Sequence, residues 1–382
     1  MALATKIILY LTLIAFFFGQ LIRPTIFGVT LPLFDIFIVL LAIANFFNQN
    51  TKENNHYILI FIFIAIISWL INPLKLSNSL TSIFYLLRII SLLSFFVYPL
   101  NIDKNSEKFF HIILFTFTFF GLLQYFFYPD LTTFSSLNWD PHLYRLVGLL
   151  FDPNFTGLYL VFTFLILTSL FLSPKTKNKK GILFLMAISY LALALTFSRS
   201  SYLALLIGVF FLLWWQKKRI FFIFFGAFFA LTLIFLPKPA GEGVNLSRTS
   251  TIYLRLENYQ EGLSLFAQKP ILGWGFNTYR YAREKALGIK EDIPQHSGAG
   301  NDASLIFVLA TTGILGFFFF LKTLLETLFS FPPVHLKNQA ALALILAFFV
   351  HSFFNNSLFY PPLALFLLSL LGMASAKNHS FS

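Results

Sequence analysis

"QHSGAGNDASLIFVLATTGILG" (residues 295–316) starts as a polar, glycine-spaced loop and passes at Asp302 into an unbroken apolar run. A run of about twenty such residues is what a helix needs to cross the hydrocarbon of a bilayer. Asp302 therefore stands where water ends. The same change from polar connector to apolar run recurs from end to end of the 382-residue chain, in which 58% of residues are hydrophobic and only 11% charged. In lipid the backbone must satisfy its own polar groups, so these runs predict helices. The expected fold is all-α: a polytopic integral membrane protein forming one domain over 1–382.

Apolar windows predict twelve transmembrane helices, at 6–22, 32–48, 57–73, 79–100, 109–128, 154–173, 181–197, 201–216, 219–237, 302–321, 339–354 and 358–375. The first run is expected to be a retained helix, because no small-residue cleavage pattern follows it. The basic connectors "NIDKNSEK" (101–108), "SPKTKNKKG" (173–181) and "QKKR" (216–219) fall on one side if the spans alternate. That side is expected to be cytoplasmic, with both termini on it. The opposite face carries 129–154, the "SRSS" turn at 198–201 and one long exoplasmic loop at 238–301, where apolar residues at helical spacing are interrupted by "KP" and "GWG". Two short amphipathic helices on the outer membrane surface are expected there.

The net charge of +12 is scattered over these connectors rather than gathered into one basic domain, which argues for topology and lipid-phosphate affinity and against nucleic acid. Zero Cys removes disulfides, thiol nucleophiles and thiolate metal sites together. His142, His296 and Asp302 share no metal-ligand spacing, so no metal and no cofactor are expected. The 54 Phe speak only of a bulky, lipid-compatible surface.

Ionisable groups at the bilayer are informative, because each costs roughly 2.5–3.5 kcal/mol at its centre unless it faces protein or water. Arg199 sits in the "SRSS" hairpin at the outer edge of the hydrocarbon, placed either to grip a phosphate bidentately or to snorkel. Arg88 lies deep in "IFYLLRIISLL"; it either pairs with Asp35, the favoured reading, or lines a lipid-substrate cavity. Arg145, Arg255 and Arg280 are loop arginines on the exoplasmic face, singly solvated, but with Arg248 and Arg283 numerous enough to converge on an anion. In "FDPN" (151–154), Asp152 and Pro153 read as a helix start. Glu257 and Glu261 read as a solvated face rather than a hydrolytic pair.

Four stretches carry a resemblance: "RLVGLLFDPNFTG" (145–157), "TFSRSS" (196–201), "RLENYQEGLSLFAQKPILGWGFNTY" (255–279) and "NDASLIFVLATTGILG" (301–316). The chain resembles, over most of its length, the O-antigen ligase and polymerase family of bacterial membrane glycosyltransferases. The resemblance implies a GT-C-like membrane fold with a large outward loop. It implies transfer of a glycan from an undecaprenyl diphosphate carrier to a lipid or glycan acceptor hydroxyl on the outer face of the cytoplasmic membrane, without metal or nucleotide. Further expected partners are envelope-polysaccharide assembly proteins. By motif match, Arg199 and Arg255 are the diphosphate-binding arginines; Arg145, Arg88 and Arg280 are further candidates for the same anionic lipid. The family's ligases place a histidine eleven residues before the GxxG glycine. Here that position is Asp302, so either Asp302 or His296 is expected to act as the base, while Asp302 alternatively caps the helix through the N–H of Ser304 or Leu305. A transporter of the same lipid-linked sugar and a non-catalytic scaffold are the readings from other classes.

Overall fold

The structure, a computed structural model, describes residues 3–48, 56–100, 102–137, 139–290 and 300–375. Every apolar window forms a helix. In chain order these are α1 (Leu3–Phe18), α2 (Leu33–Asn48), α3 (His56–Leu70), α4 (Leu76–Leu93), α5 (Lys104–Phe127), α6 (Pro153–Leu172), α7 (Lys179–Ala194), α8 (Arg199–Trp215) and α9 (Arg219–Phe235). The long loop supplies α10 (Ser250–Gln268) and the single turn α11 (Tyr279–Ala282), and the chain continues through α12 (Ser304–Phe329), α13 (Leu336–His351) and α14 (Pro361–Ser375). The two loop helices expected are thus one of 19 residues and one of 4, the latter running into a π-helical turn at Arg283–Leu287. A two-stranded hairpin, β1 (Thr25–Ile26) and β2 (Val29–Thr30), turns at Gly28, whose φ of 79° suits glycine.

Four stretches among the described residues are long and apolar enough to cross a membrane: Asn78–Phe96, Lys104–Phe127, Pro153–Leu172 and Ser304–Phe329. Seven shorter apolar helices accompany them. Helix surfaces are apolar on the outside as well: α9 buries only Phe229, and exposes Phe221, Phe224, Phe228 and Phe235. Such a face is stable against lipid and would aggregate in water. The chain is a helical membrane protein.

Its residues group into two compact units. Unit 1 holds Met1–Ile113, Ser250–Thr327 and Ser352–Ser382. There α1 packs on α2 through Leu9, Leu13 and Phe16 against Phe34, Ile38 and Leu41, all buried. Five Phe from four parts of the sequence, Phe61, Phe276, Phe307, Phe320 and Phe359, form one cluster with neighbouring ring centroids 5.0–5.8 Å apart. These phenylalanines build a core rather than a lipid-facing surface.

α12 was expected to be continuous; it breaks at Gly313, whose φ of 66° and ψ of −168° are not helical. The backbone groups freed by the break pair with the "PILGWG" segment at 270–275. Trp274 and Gly275 donate their N–H to the carbonyls of Ala310 and Thr311, both at 3.0 Å, and Ile314 donates to Pro270 O at 2.8 Å. Ser68 Oγ reaches Thr311 O at 2.7 Å. The two backbones meet at glycines: a Cβ on Gly313 would lie 2.2 Å from Ile271 O, and one on Gly273 would lie 2.4 Å from the Thr311 carbonyl carbon. Irregular backbone at this depth persists because protein satisfies it.

Unit 2 holds Leu114–Thr249 and Leu328–His351. α6 is its centre, buried around most of its circumference and free of a polar face. As the sequence indicated, Asp152 caps it, its carboxylate accepting the N–H groups of Asn154 at 2.6 Å and Phe155 at 3.0 Å, with Pro153 in the first turn. Gly157 and Gly208 let α6 and α8 approach closely, since a Cβ would lie 2.3 Å from Ser201 Oγ and 2.6 Å from Leu165 Cδ1 respectively.

Candidate functional site

In unit 1 one face of α10 lies on the residues leading into α12. Arg255, Asn258, Tyr259 and Gly262 recur at i, i+3, i+4 and i+7, the spacing of a single helix face. Gly262 is the closest approach, where a Cβ would lie 2.5 Å from Ile306 Cγ2 and 2.6 Å from Asn301 Nδ2. One turn earlier, Asn258 Oδ1 accepts the Asp302 N–H at 2.7 Å, and Asn258 O accepts Asn301 Nδ2. Asn301 Nδ2 also donates to Tyr279 Oη at 3.0 Å. Another turn back stands Arg255, half-buried, its guanidinium 5.8 Å from the Phe354 ring. Among the described residues Arg255 makes no ion pair or hydrogen bond.

Tyr259 links these groups electrostatically. Burial raises its hydroxyl above the usual phenol range, Arg255 pulls it down and Asp302 pushes it up, so both charges lie within its reach. Burial likewise pushes Tyr279 up to about 12, with Asp302 again among the groups it senses. Both phenols stay neutral at physiological pH, Tyr259 donating to Phe353 O and Tyr279 accepting from Asn301 Nδ2.

Asp302 is half-buried, ahead of the first turn of α12. Of the two expected cap partners of Asp302, Ser304 and Leu305, the Ser304 N–H donates instead to Ser352 O at 2.9 Å. The Asn301 side chain closes the neighbouring turn instead, its Oδ1 accepting the Ala303 N–H at 3.0 Å. His296, the other candidate base, lies outside the described residues.

The sequence reading missed the third side of the site, the connector from Ser352 to Tyr360. Tyr259 Oη donates to Phe353 O, Phe354 lies beneath Arg255, and Leu358 donates its N–H to Ser304 Oγ at 3.3 Å. "SFFNNSLFY" carries no charge and no motif spacing, so only the α10 periodicity could have pointed to a partner surface.

In unit 2, "SRSS" is a helix start rather than a bare turn. Ser198 caps α8, and Arg199 opens it, with Nη1 donating to Arg248 O at 2.9 Å and Leu246 O at 3.4 Å. Both of those acceptors are backbone carbonyls. Beneath it Ser198, Ser200 and Ser201 form a hydroxyl cluster with Asn154 and the fully buried His351: Ser198 Oγ donates to Asn154 Oδ1 at 2.9 Å, and His351 Nε2 lies 3.2 Å from Ser200 Oγ and 3.3 Å from Ser201 Oγ.

Arg145 is not a solvated loop charge. It is buried, its Nε donates to Thr196 O at 2.9 Å and its Nη2 to Phe197 O at 3.4 Å, and its chain fills the space over Gly243. This bracing holds Phe197 in its left-handed conformation immediately before the α8 cap. Arg248 donates to the carbonyls of Gly243 and Asn245.

Arg88 has the partner expected. In unit 1 its Nη1 lies 2.7 Å from Asp35 Oδ2, and its guanidinium also sits 4.6 Å from the Tyr85 ring centre. Arg280 is half-buried on α11, within electrostatic range of Tyr281. Glu261 is not part of a solvated face; it pairs with Arg283 through both carboxylate oxygens, at 2.7 and 3.2 Å. Glu257 is exposed. No group of three or more metal-ligating side chains occurs among the described residues.

No curated protein matches the chain. Residues 181–321 match the O-antigen ligase family model. Arg199, Arg255, Arg280 and Asp302 fall inside that segment, and Arg88 and Arg145 fall outside it. Over residues 181–321 the chain is thus similar to the O-antigen ligase family.

Proposed function

We propose that the protein transfers a glycan from an undecaprenyl diphosphate carrier to an acceptor hydroxyl on the outer face of the cytoplasmic membrane. The single observation that carries the reading is the face of α10. It carries Arg255 one helical turn from Asn258, whose Oδ1 accepts the Asp302 N–H at 2.7 Å, inside the segment that matches the ligase family.

Asp302 takes the proton of the acceptor hydroxyl, and the hydroxyl oxygen attacks the anomeric carbon of the donor. The bond from that carbon to the diphosphate oxygen breaks, and undecaprenyl diphosphate leaves with the electron pair. Diphosphate is already a good leaving group, so the protein mainly needs cations to hold its growing charge. Arg199 and Arg255 are the diphosphate-binding residues, with Arg280 nearby on the same loop. Arg88 and Arg145 serve structure, through Asp35 and through the 196–197 carbonyls respectively. No metal is required, because the arginines supply the positive charge.

The outward orientation is supported by the lysine-rich connectors, which put the start of α12 opposite the cytoplasm if the twelve apolar helices alternate across the membrane. A transporter reading draws on broken helices that coordinate ions through unwound backbone. The break in α12 offers its carbonyls to the 270–275 segment instead, which favours a catalytic role.

The test uses purified protein in lipid nanodiscs with lipid-diphosphate-linked glycan and acceptor. Arg199→Ala, Arg255→Ala and Asp302→Asn each lower transfer by about 100-fold or more while the protein stays folded in the membrane. Full activity in both arginine variants contradicts the assignment.

A further inference from the structure

Asn258 joins α10 to the start of α12 by two bonds, one through its side chain and one through its backbone. Its Oδ1 holds the Asp302 N–H at 2.7 Å, and its carbonyl oxygen holds Asn301 Nδ2. Asn301 is in turn fixed by Tyr279 Oη at 3.0 Å and by the Ala303 N–H at 3.0 Å. Gly262 allows the close approach that makes these bonds short. Packing alone would be served by an aliphatic residue at 258, as Ile306 shows one turn further along the contact. An amide there gives the Asp302 N–H, which precedes the helical ladder, a fixed partner.

We propose that Asn258 is a positioning residue for the transfer: by accepting the Asp302 N–H it holds the Asp302 carboxylate in place relative to Arg255, one helical turn earlier on the same face of α10. The inference rests on the roles of Arg255 and Asp302 proposed above. A general base must lie within hydrogen-bond reach of the proton it takes, and a misplacement of about 1 Å costs on the order of 100-fold in rate. Asn258 touches neither substrate nor reacting atoms; it acts through the backbone of Asp302. Among the described residues, the titratable and charged groups near that acid include Tyr259 from α10 and Tyr279 from α11, with Arg255 beside Tyr259 and Glu261 and Arg283 beside Tyr279.

Two substitutions separate positioning from packing. Asn258→Leu keeps the bulk and removes the acceptor. Asn258→Asp keeps the acceptor and adds a second carboxylate, and like charges hold a proton more tightly. Full-length protein in nanodiscs is assayed with lipid-diphosphate-linked glycan, alongside hydrogen exchange at the Asp302 amide. In Asn258→Leu that amide exchanges faster, and kcat falls by about 10–100-fold while the donor KM stays within about twofold. In Asn258→Asp most of kcat returns, and the acid limb of the pH–rate profile moves to higher pH by about one unit. Unchanged kcat in Asn258→Leu overturns the proposal, as does an Asn258→Asp variant whose acid limb stays in place. Should Asp302→Asn keep wild-type kcat, the reading of the site itself fails. Should Asp302→Asn be inactive and Asn258→Leu fully active, only the positioning role fails.

Discussion

At the scale of single residues, charge inside the bilayer is tolerated where a partner is fixed. Arg88 and Asp35 meet at 2.7 Å, and the Asp35 side chain is only 4% exposed. Removing one partner leaves a buried charge uncompensated and destabilises by about 3–5 kcal/mol, whereas replacing both with apolar residues of similar volume is close to neutral. Asp35→Leu alone is therefore expected to lower the detergent melting temperature, and Asp35→Leu with Arg88→Met to recover most of it. His142 behaves differently. Burial and the nearby Arg145 push it down to about 3, so it stays neutral in the folded protein. An unfolded histidine takes up its proton near pH 6.5. Its contribution to stability is complete above that pH and is lost as the pH falls toward about 3. His142→Phe should flatten the acid arm of a stability-against-pH curve measured by thermal melts; an unchanged arm would remove His142 as its cause.

At the scale of elements, the broken α12 and the "PILGWG" segment form one device. Neither glycine tolerates a side chain: Gly313 is left-handed and faces Ile271 O, and Gly273 faces the Thr311–Thr312 peptide. Gly313→Ala is expected to cost about 1–3 kcal/mol from the backbone alone, more once the clash with Ile271 is added, and to abolish transfer without touching a charged group. Normal activity and melting in that variant would mean the two backbones are not held as described.

Each of the twelve apolar helices was legible in the sequence because apolar length dictates it, whereas the lengths of the two loop helices were not; the Asp152 cap and the Arg88–Asp35 pair were legible because few alternatives satisfy a buried charge. The break at Gly313 was not. A GxxG inside an apolar run looks like a packing motif until the segment that pairs with it is known, and that segment lies about forty residues away in a loop. The same limit hid the connector from Ser352 to Tyr360: it meets Tyr259, Arg255 and Ser304 through backbone carbonyls and an aromatic ring, which leave no signature in residue type. Arg145 misled for the opposite reason, since a loop arginine that braces carbonyls and one that waits for an anion have the same local sequence.

At the scale of the whole molecule, a membrane protein rich in Phe carries its proposed chemistry on very few charges. Arg255 and Asp302 lie in one compact unit and Arg199 in the other, Arg255 within α10, Asp302 just ahead of α12 and Arg199 at the first position of α8. The central claim is that these residues exchange one glycosidic linkage for another using arginine charge alone. It is tested most directly by following lipid product and glycan together: purified protein in nanodiscs, lipid-diphosphate-linked glycan, acceptor, and EDTA throughout. The account predicts undecaprenyl diphosphate released in equal amount to the new glycosidic bond, undiminished by EDTA and lost in Arg255→Ala. Movement of the intact lipid-linked glycan across the bilayer with no release of diphosphate would contradict it.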